Sequence, residues 1–403
     1  MTNKYIPTAL TNLANSPKTA RVAQSAFLAL IYVIVSAFVL NAFVQRWDMG
    51  TDSKKNDFVT TMNYNATRPF VYRVLVPVVV NTTAKAIPDR LVHHFEDTLL
   101  HSTRLLPNVR IKDTPLWTVD VSLKYHLTYF FLFFCLFSLL YTVRYLTRVV
   151  YSPPTVFQDF GPAVGLLLLP LTFLEGGYLY DFPELLFMAL LLVAIVKSKW
   201  WLFYPVFVLA ILDKEADALL ILFFLAFQIK SMPRRRLLWH LLAQTAIAGI
   251  VLFLVRNHFA ANGGAPVEDH MIGNLRFWAN PLSYLKFMDI YARGILVPRG
   301  LNILSLLLVI FMLSYRWREK PIEIRFLFFF ALIVNLPLSI LFGYQDEIRN
   351  LSFIFPGLYL MAFHTLTALY TKESGEKKSF IMNVIPYRGK LPTVSSAITE
   401  KAS

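Results

Sequence analysis

The sequence has few charged residues and only one cysteine. Asp, Glu, Lys and Arg together make up 16% of its 403 residues, whereas 56% are hydrophobic and 35 are phenylalanine. So apolar a composition excludes an ordinary soluble domain. The single Cys135 excludes an intrachain disulfide. The sequence also lacks P-loop, Rossmann, GxSxG and HExxH motifs, so the nucleotide, hydrolase and metalloprotease sites that these motifs build are not expected.

What the sequence does contain is a series of apolar runs, typical of an all-α, polytopic membrane protein. The runs predict about ten spans, between nine and eleven. Several are shorter than the roughly 20 residues that cross a bilayer, which predicts broken helices or helices that extend into polar flanks. A further run, 70–87, contains Arg73 and Pro77 and predicts an interfacial or re-entrant helix. The predicted spans are 23–44, 125–146, 160–174, 183–196, 200–212, 217–229, 241–255, 300–315, 326–344 and 351–370.

The net charge of +14 is explained by topology rather than by nucleic-acid binding. Basic residues cluster at the ends of alternate apolar runs, and cytoplasmic loops carry such an excess of Lys and Arg. Residues 1–22 and 371–403 are therefore predicted to be cytoplasmic tails, the second of them mobile, and 23–370 the transmembrane domain. The predicted location is a plasma membrane.

The opposite, extracytoplasmic side receives the first loop, 45–124, which is expected to contain helices, and the loop 256–299. It also receives three short acidic turns. The carboxylates of the short outer turns are thus segregated to one face: Glu175, Asp181, Glu184, Asp213, Glu215, Asp217, Asp346 and Glu347.

Two readings apply to the acidic turns. In "LDKEAD", Asp213, Lys214 and Glu215 form either a solvated turn or a turn sunk below the membrane surface, where ionisable groups usually have a function. In "YLYDFPELLF", Asp181 and Glu184 suit the dipole of a helix N-terminus. Tyr180 is either an interfacial anchor or a ring that stacks on a sugar.

The stretch "RPFVYRVLVP" in the first outer segment contains Arg68, Tyr72 and Arg73. One reading is an interfacial helix whose arginines meet lipid phosphates. The other is a pair of guanidinium groups that grip a substrate phosphate through bidentate contacts. In "DEIRNLSFIFP", Arg349 adds a third guanidinium. Asp346 and Glu347 are expected to hold Arg349 or Lys214 in place rather than to catalyse.

The stretches "RPFVYRVLVP", "YLYDFPELLF", "LDKEADALL" and "DEIRNLSFIFP" follow one another in this order along the chain, on one side of the membrane. In this they resemble GT-C-type polytopic glycosyltransferases and the sugar-transferring or polymerising membrane proteins of bacterial surface-polysaccharide clusters. The resemblance covers most of 23–370 in architecture. It implies transfer of a sugar from a polyprenyl-phosphate-type lipid donor to a glycan, lipid or protein hydroxyl acceptor on the extracytoplasmic face. Its partners would be the lipid-linked donor, membrane lipids and the acceptor, with no nucleic acid.

In that chemistry a carboxylate takes the proton of the acceptor hydroxyl, and Asp48 or Asp52 is the predicted base. Arg68, Arg73 and Arg349 would offset the charge on the leaving phosphate. The family commonly has adjacent acids in its first outer loop, whereas Asp48, Asp52 and Asp57 are separated here. No metal ligand is predicted, and a divalent metal is an open alternative. A polymerase of lipid-linked oligosaccharides and a transporter or flippase are the rival functions.

Overall fold

The structure is a computed structural model, and it describes residues 17–50, 57–101, 111, 114–265, 267, 269–289 and 296–373. Asp52, most of both predicted tails and parts of the two long outer loops lie outside these residues. The described part is mostly helical, as the sequence predicts. The only sheet within the described residues is an antiparallel ribbon that pairs β1 (Phe287–Asp289) with β2 (Leu296–Pro298), with Met288 opposite Val297.

Fifteen α-helices lie within the described residues, and short 3₁₀ turns connect several of them. The first seven are α1 (Pro17–Trp47), α2 (Phe58–Met62), α3 (Leu75–Ala86), α4 (Asp89–His94), α5 (Glu96–His101), α6 (Val119–Tyr151) and α7 (Thr155–Leu167). The next four are α8 (Asp181–Val196), α9 (Trp200–Asp213), α10 (Ile221–Gln228) and α11 (Arg234–His258). The last four are α12 (Met271–Ala279), α13 (Ile303–Ser314), α14 (Ile322–Phe342) and α15 (Phe355–Glu373).

Among the described residues, five helical segments are long and apolar enough to cross a membrane, as expected of a membrane protein. The segments are Ala20–Gly50, Val119–Tyr151, Arg234–His258, Ile322–Phe342 and Ile348–Thr371. Other predicted spans correspond to shorter apolar helices, including Trp200–Asp213 and Ile303–Ser314. At 1.5 Å per residue, the 14 residues of α9 extend only about 21 Å, less than the roughly 30 Å of the hydrocarbon core.

Two apolar cores pack around α8, which is buried on most sides. Phe187, Leu191 and Ile195 of α8 belong to a core shared with α9, α10, α14 and α15. Phe182 and Ala189 of the same helix face a second core built mainly from α1, α3 and α6. A helix that is apolar around its whole circumference is a buried helix. Consequently α8 occupies the centre of the bundle.

The first outer segment folds back onto this bundle. Phe58 of α2 packs on Tyr125 of α6, with ring centroids 5.1 Å apart. The α3 helix has 12 residues, about 18 Å, so it is too short to span a bilayer. Its Val76 and Val80 are buried in the second core. The short helix expected within 70–87 is therefore present, and it is packed against the bundle by its apolar side.

Asp48 anchors the end of α1 to the rest of the protein. Its carboxylate is fully buried and accepts hydrogen bonds from Tyr125 Oη at 2.6 Å and from the Ile111 backbone N–H at 3.2 Å. Asp48 and Met49 have positive φ values of 43° and 54°, a conformation that is costly for residues other than glycine. The chain therefore turns sharply as it leaves α1, and the carboxylate holds that turn against α6.

We expect Tyr125→Phe to lower the free energy of unfolding by about 1.5–3 kcal/mol, because it removes a hydrogen bond from a buried carboxylate. The measurement is the thermal unfolding midpoint in detergent. Tyr129→Phe is the matched control, since the Tyr129 hydroxyl of the same helix makes no hydrogen bond within the described residues. Equal midpoints for the two variants would contradict the anchoring role of Asp48.

Candidate functional site

The ends of several helices meet in one charged cluster. The turn before α8, the turn between α9 and α10, the 3₁₀ turn before α15 and the segment before α3 all contribute to it. These are the four stretches that the sequence analysis singled out, and direct side-chain contacts join them. We call the following residues the arginine–carboxylate cluster: Arg73, Asp181, Glu184, Lys214, Glu215, Glu347 and Arg349.

Arg349 is held by two carboxylates from different segments. Its Nη1 lies 3.2 Å from Asp181 Oδ1, and its Nε and Nη2 lie 2.7 Å and 2.6 Å from Glu347 Oε1. The guanidinium also lies 4.1 Å from the centroid of the Tyr178 ring, a cation–π geometry. Glu347 therefore supports Arg349, as expected, and Asp181 links it to the start of α8.

Three aromatic rings form a stack beside the arginines. Phe70 stacks on Tyr178 at 5.7 Å, and Tyr178 stacks on Tyr180 at 5.3 Å. The Arg73 guanidinium lies 4.1 Å from the Tyr180 centroid and 5.0 Å from that of Phe70. Its Nη1 donates to Tyr180 Oη, and its Nε lies 3.8 Å from Glu215 Oε2. Tyr180 is therefore a partner of Arg73.

The surroundings keep both tyrosines protonated and Arg73 charged. Burial raises the pKa of Tyr178 and of Tyr180, although nearby arginines lower it in part. Burial disfavours the charged form of Arg73, but Tyr180 and Glu215 more than offset it, so its pKa is raised. The Arg73 Nε makes no hydrogen bond within the described residues. Arg73 therefore keeps its positive charge, and its buried Nε faces Glu215.

Lys214 neutralises the most deeply buried acid of α8. Its Nζ lies 2.8 Å and 3.0 Å from the two Glu184 oxygens, and Ser352 Oγ donates to Oε1 at 2.6 Å. Only 1% of Glu184 is exposed. A buried ion pair of this kind persists when further hydrogen bonds satisfy it, as Ser352 does here.

Two acids of the "LDKEAD" turn have no such partner. The carboxylates of Asp213 and Asp217 are fully buried, and neither makes a hydrogen bond within the described residues. Asp213 lies within electrostatic range of Cys135, which is halfway along the 33-residue α6. This turn is therefore sunk into the bundle rather than solvated at its surface. Buried ionisable groups at such depth are costly and mark functional sites.

A second group of charges lies beside the cluster. Arg299 Nη2 lies 2.6 Å from Glu175 Oε2, and its Nε lies 3.2 Å from Asp346 Oδ2. Burial raises the pKa of Glu175, and Arg299 lowers it in part. Gly300 has a φ of +56°, and a Cβ there would lie 2.5 Å from Asp346 Cβ. Asp346 thus supports Arg299 and not Arg349 or Lys214, the partners that the sequence suggested for the two acids.

A narrow cavity opens between the aromatic stack and the first outer segment. Its lining includes Gly50, Arg73, Pro77, Tyr178 and Tyr180. A second cleft reaches the other face of the cluster, where Asp181, Glu184, Arg349 and Ser352 contribute to its lining. Cationic and aromatic groups therefore border both spaces, which measure only about 30 Å³ and about 10 Å³ in this conformation, so a sugar ring could enter only if they open.

Three predicted site residues lie outside this arrangement. The Asp48 carboxylate is engaged by Tyr125 and Ile111, as described above. Arg68 Nη2 donates to the Gly264 carbonyl at 2.7 Å, in the turn that follows α11. Tyr72 is buried, and the Arg256 guanidinium lies 5.8 Å from its ring centroid. The roles of all three, and of Asp52 outside the described residues, stay predictions.

Ser352, which bonds to the cluster, and Arg299, which lies beside it, were not expected from the sequence. Ser352 stands three residues after Arg349 in a 3₁₀ turn, but a lone serine in an apolar stretch gives no signal. Arg299 was one of many bases in a long loop, and its two carboxylate partners come from distant turns. Its position directly before Gly300, with the positive φ that glycine favours, was the available clue.

For the divalent-metal alternative, the described residues offer no group of three His, Cys, Asp or Glu side chains arranged as ligands. Comparison of the chain with protein-family models, with curated proteins and with solved structures finds no match. The geometry of the cluster is therefore the basis for the function proposed below.

We expect Lys214→Met to destabilise the protein by about 3–5 kcal/mol, because it leaves the Glu184 charge buried without its partner. Adding Glu184→Gln should recover part of the lost stability, since the double variant has no unpaired buried charge at this pair. Thermal unfolding of both single variants and the double variant gives the coupling energy. Lys199→Met, which removes an exposed lysine at the start of α9, is the control. Strictly additive effects would contradict the pairing.

Proposed function

We propose that this protein is a membrane glycosyltransferase that moves a sugar from a polyprenyl-phosphate-type lipid donor to a hydroxyl acceptor on the extracytoplasmic face. The observation that carries the proposal is the convergence of Arg73 and Arg349 with the Tyr178–Tyr180 stack at the end of a cavity. Arginine pairs well with phosphate oxygens, and aromatic faces suit the apolar face of a sugar.

The proposal assigns the leaving phosphate to Arg73. Its guanidinium lines the cavity, and it retains an Nε without a hydrogen bond. Arg349 is engaged by Glu347 and Asp181 on its Nε, Nη1 and Nη2 atoms. It contributes positive charge and positions Tyr178. Preorganised charges of this kind stabilise a developing phosphate charge without reorganisation during the reaction.

The acceptor proton requires a carboxylate. Asp48 and Asp52 are the bases that the sequence suggests, and Met49 and Gly50 between them line the cavity. Because both oxygens of Asp48 already accept hydrogen bonds, its use as a base would require release of Tyr125 or Ile111. Asp52 lies outside the described residues and stays the other predicted base.

The topology that we propose has about ten spans, with both termini on the cytoplasmic side of a plasma membrane. The short helices α9 and α10 fit this arrangement as broken elements that neighbouring helices bury. Their acidic turn then lies below the outer surface, beside Arg73. The apolar grooves between helices would hold the polyprenyl chain of the donor.

A transporter or flippase of a lipid-linked or anionic substrate is the second candidate. The buried carboxylates of Asp213 and Asp217 favour it, because unpaired acids within a helical bundle commonly serve proton or ion pathways. A polymerase of lipid-linked oligosaccharides would use the same phosphate site. The transporter is distinguished by movement of the lipid-linked substrate across a liposome membrane without formation of a new glycosidic bond.

We expect Arg73→Lys to lower sugar transfer by about 100-fold, because lysine keeps the charge but loses the planar fork and its stacking on Tyr180. The assay uses purified protein with a panel of radiolabelled polyprenyl-phosphate monosaccharides and follows loss of label from the lipid. Native mass spectrometry with unlabelled polyprenyl phosphate measures binding separately.

Arg276→Lys, which changes an exposed arginine of α12, is the control and should transfer at the wild-type rate. Wild-type transfer by Arg73→Lys would contradict the phosphate role of Arg73. No retention of polyprenyl phosphate by the wild type would contradict the proposed donor class.

A further inference from the structure

A third cavity lies where α11 begins beside the first half of α9, whereas the last residue of α9 directly precedes Lys214 of the arginine–carboxylate cluster. The volume of this cavity is about 510 Å³, and Tyr204, Pro233, Arg235, Arg236, Trp239 and His240 line it. In the predicted topology this is the cytoplasmic edge of the bundle, whereas the cluster lies toward the opposite edge. The cavity therefore has no part in the function proposed above.

Three consecutive arginines stand beside this cavity at the N-terminus of α11, an unusual position for positive charge. Arg234, Arg235 and Arg236 occupy the first turn of α11, and that turn contains no acidic residue. Positive charge at a helix N-terminus is unfavourable, because the helix dipole is also positive there. Within the described residues no carboxylate forms an ion pair with these three arginines. An anion in the cavity would offset the repulsion.

Side-chain contacts between α9 and α11 hold the walls of the cavity in place. His240 Nδ1 lies 2.7 Å from Tyr204 Oη, which ties α11 to α9 behind the arginines. The His240 ring also packs on Trp200, with centroids 5.1 Å apart. Trp239 is 63% exposed at the rim. Tryptophan and arginine side by side are characteristic of the headgroup level of a membrane.

An apolar surface continues from the cavity along α11. The helix faces the bundle with Leu237, Gln244 and Ala248, which are buried. Its other face exposes large apolar side chains over several turns: Leu238, Leu242, Ile250, Phe253 and Leu254. A ligand with an anionic head at Arg235 and Arg236 would therefore lay its apolar part along this face.

We infer that the cavity between α9 and α11 binds the phosphate headgroup of an anionic phospholipid, with Arg235 and Arg236 as the phosphate ligands and Trp239 at the glycerol level. The shape of the site selects a lipid over a free phosphate, because only a lipid covers the exposed face of α11. An anionic lipid fits better than a zwitterionic one. The positive choline group of a zwitterionic lipid would need a carboxylate beside the arginines, and the described residues place none in an ion pair with them.

The test is native mass spectrometry of the full chain, released from nanodiscs that contain equal amounts of phosphatidylglycerol and phosphatidylcholine. The wild type should retain phosphatidylglycerol preferentially. The Arg235→Gln/Arg236→Gln variant should lose this preference, with apparent affinity lower by about tenfold for each guanidinium removed.

The control is Arg148→Gln/Arg318→Gln, which removes the same charge from the same predicted side but away from the cavity, and it should retain the lipid as the wild type does. If both double variants lose phosphatidylglycerol equally, the lipid responds to diffuse surface charge, and the site is overturned. The site is also overturned if the Arg235→Gln/Arg236→Gln variant retains the lipid as the wild type does. Displacement of the lipid by millimolar inorganic phosphate would overturn the assignment to a lipid. A thermal unfolding midpoint for each variant confirms that it is folded.

Discussion

The buried guanidinium of Arg349 imposes a constraint that organises the surrounding segments. An arginine in a helical bundle cannot release its charge, so carboxylates must reach it. Asp181 and Glu347 do so from two different segments. The approach of Glu347 requires glycine at position 176, where a Cβ would lie 1.7 Å from Glu347 Oε1. The backbone N–H of Arg349 also donates to the Thr172 carbonyl. One charge thus fixes the turn before α8 against the turn before α15.

The turn between α14 and α15 is also held in place by α12, which lies in the outer loop 256–299. Asn274 of α12 donates to the carbonyls of Ile340 and Gly343 and accepts from the Gln345 N–H. Gln345 has a φ of 41°, a strained conformation that surrounding contacts must hold in place. The side chains that follow it, Asp346 and Glu347, are therefore presented toward Arg299 and Arg349 by a backbone that α12 constrains. Loop 256–299 is thus part of the support of the cluster.

The sequence was sufficient to predict the fold class and the segments of the cluster, but not its pairings. Apolar runs predict helices, and charged residues between such runs predict turns. Asp181, Lys214 and Arg349 could therefore be placed at helix ends. Which acid meets which base depends on the three-dimensional approach of distant segments. Asp346 pairs with Arg299 for that reason, although Arg349 is nearer in sequence. The same limit applies to Asp48, whose partner Tyr125 lies 77 residues away. Span counting is weakest where helices are short, because α9 and α10 end inside the bundle.

The contrast between satisfied and unsatisfied charges in one small volume bears most directly on function. Glu184, Asp181 and Glu347 each have cationic partners, so their burial is explained by structure alone. Asp213 and Asp217 accept no hydrogen bond within the described residues and have only the longer-range attraction of Lys214. An apolar residue in either position would avoid the cost of burying a carboxyl group. Stability therefore does not account for these two side chains. Their position next to Lys214 and Glu215 connects them to Arg73 and to its cavity. The arrangement is best explained if a ligand or a proton enters this volume during the working cycle of the protein.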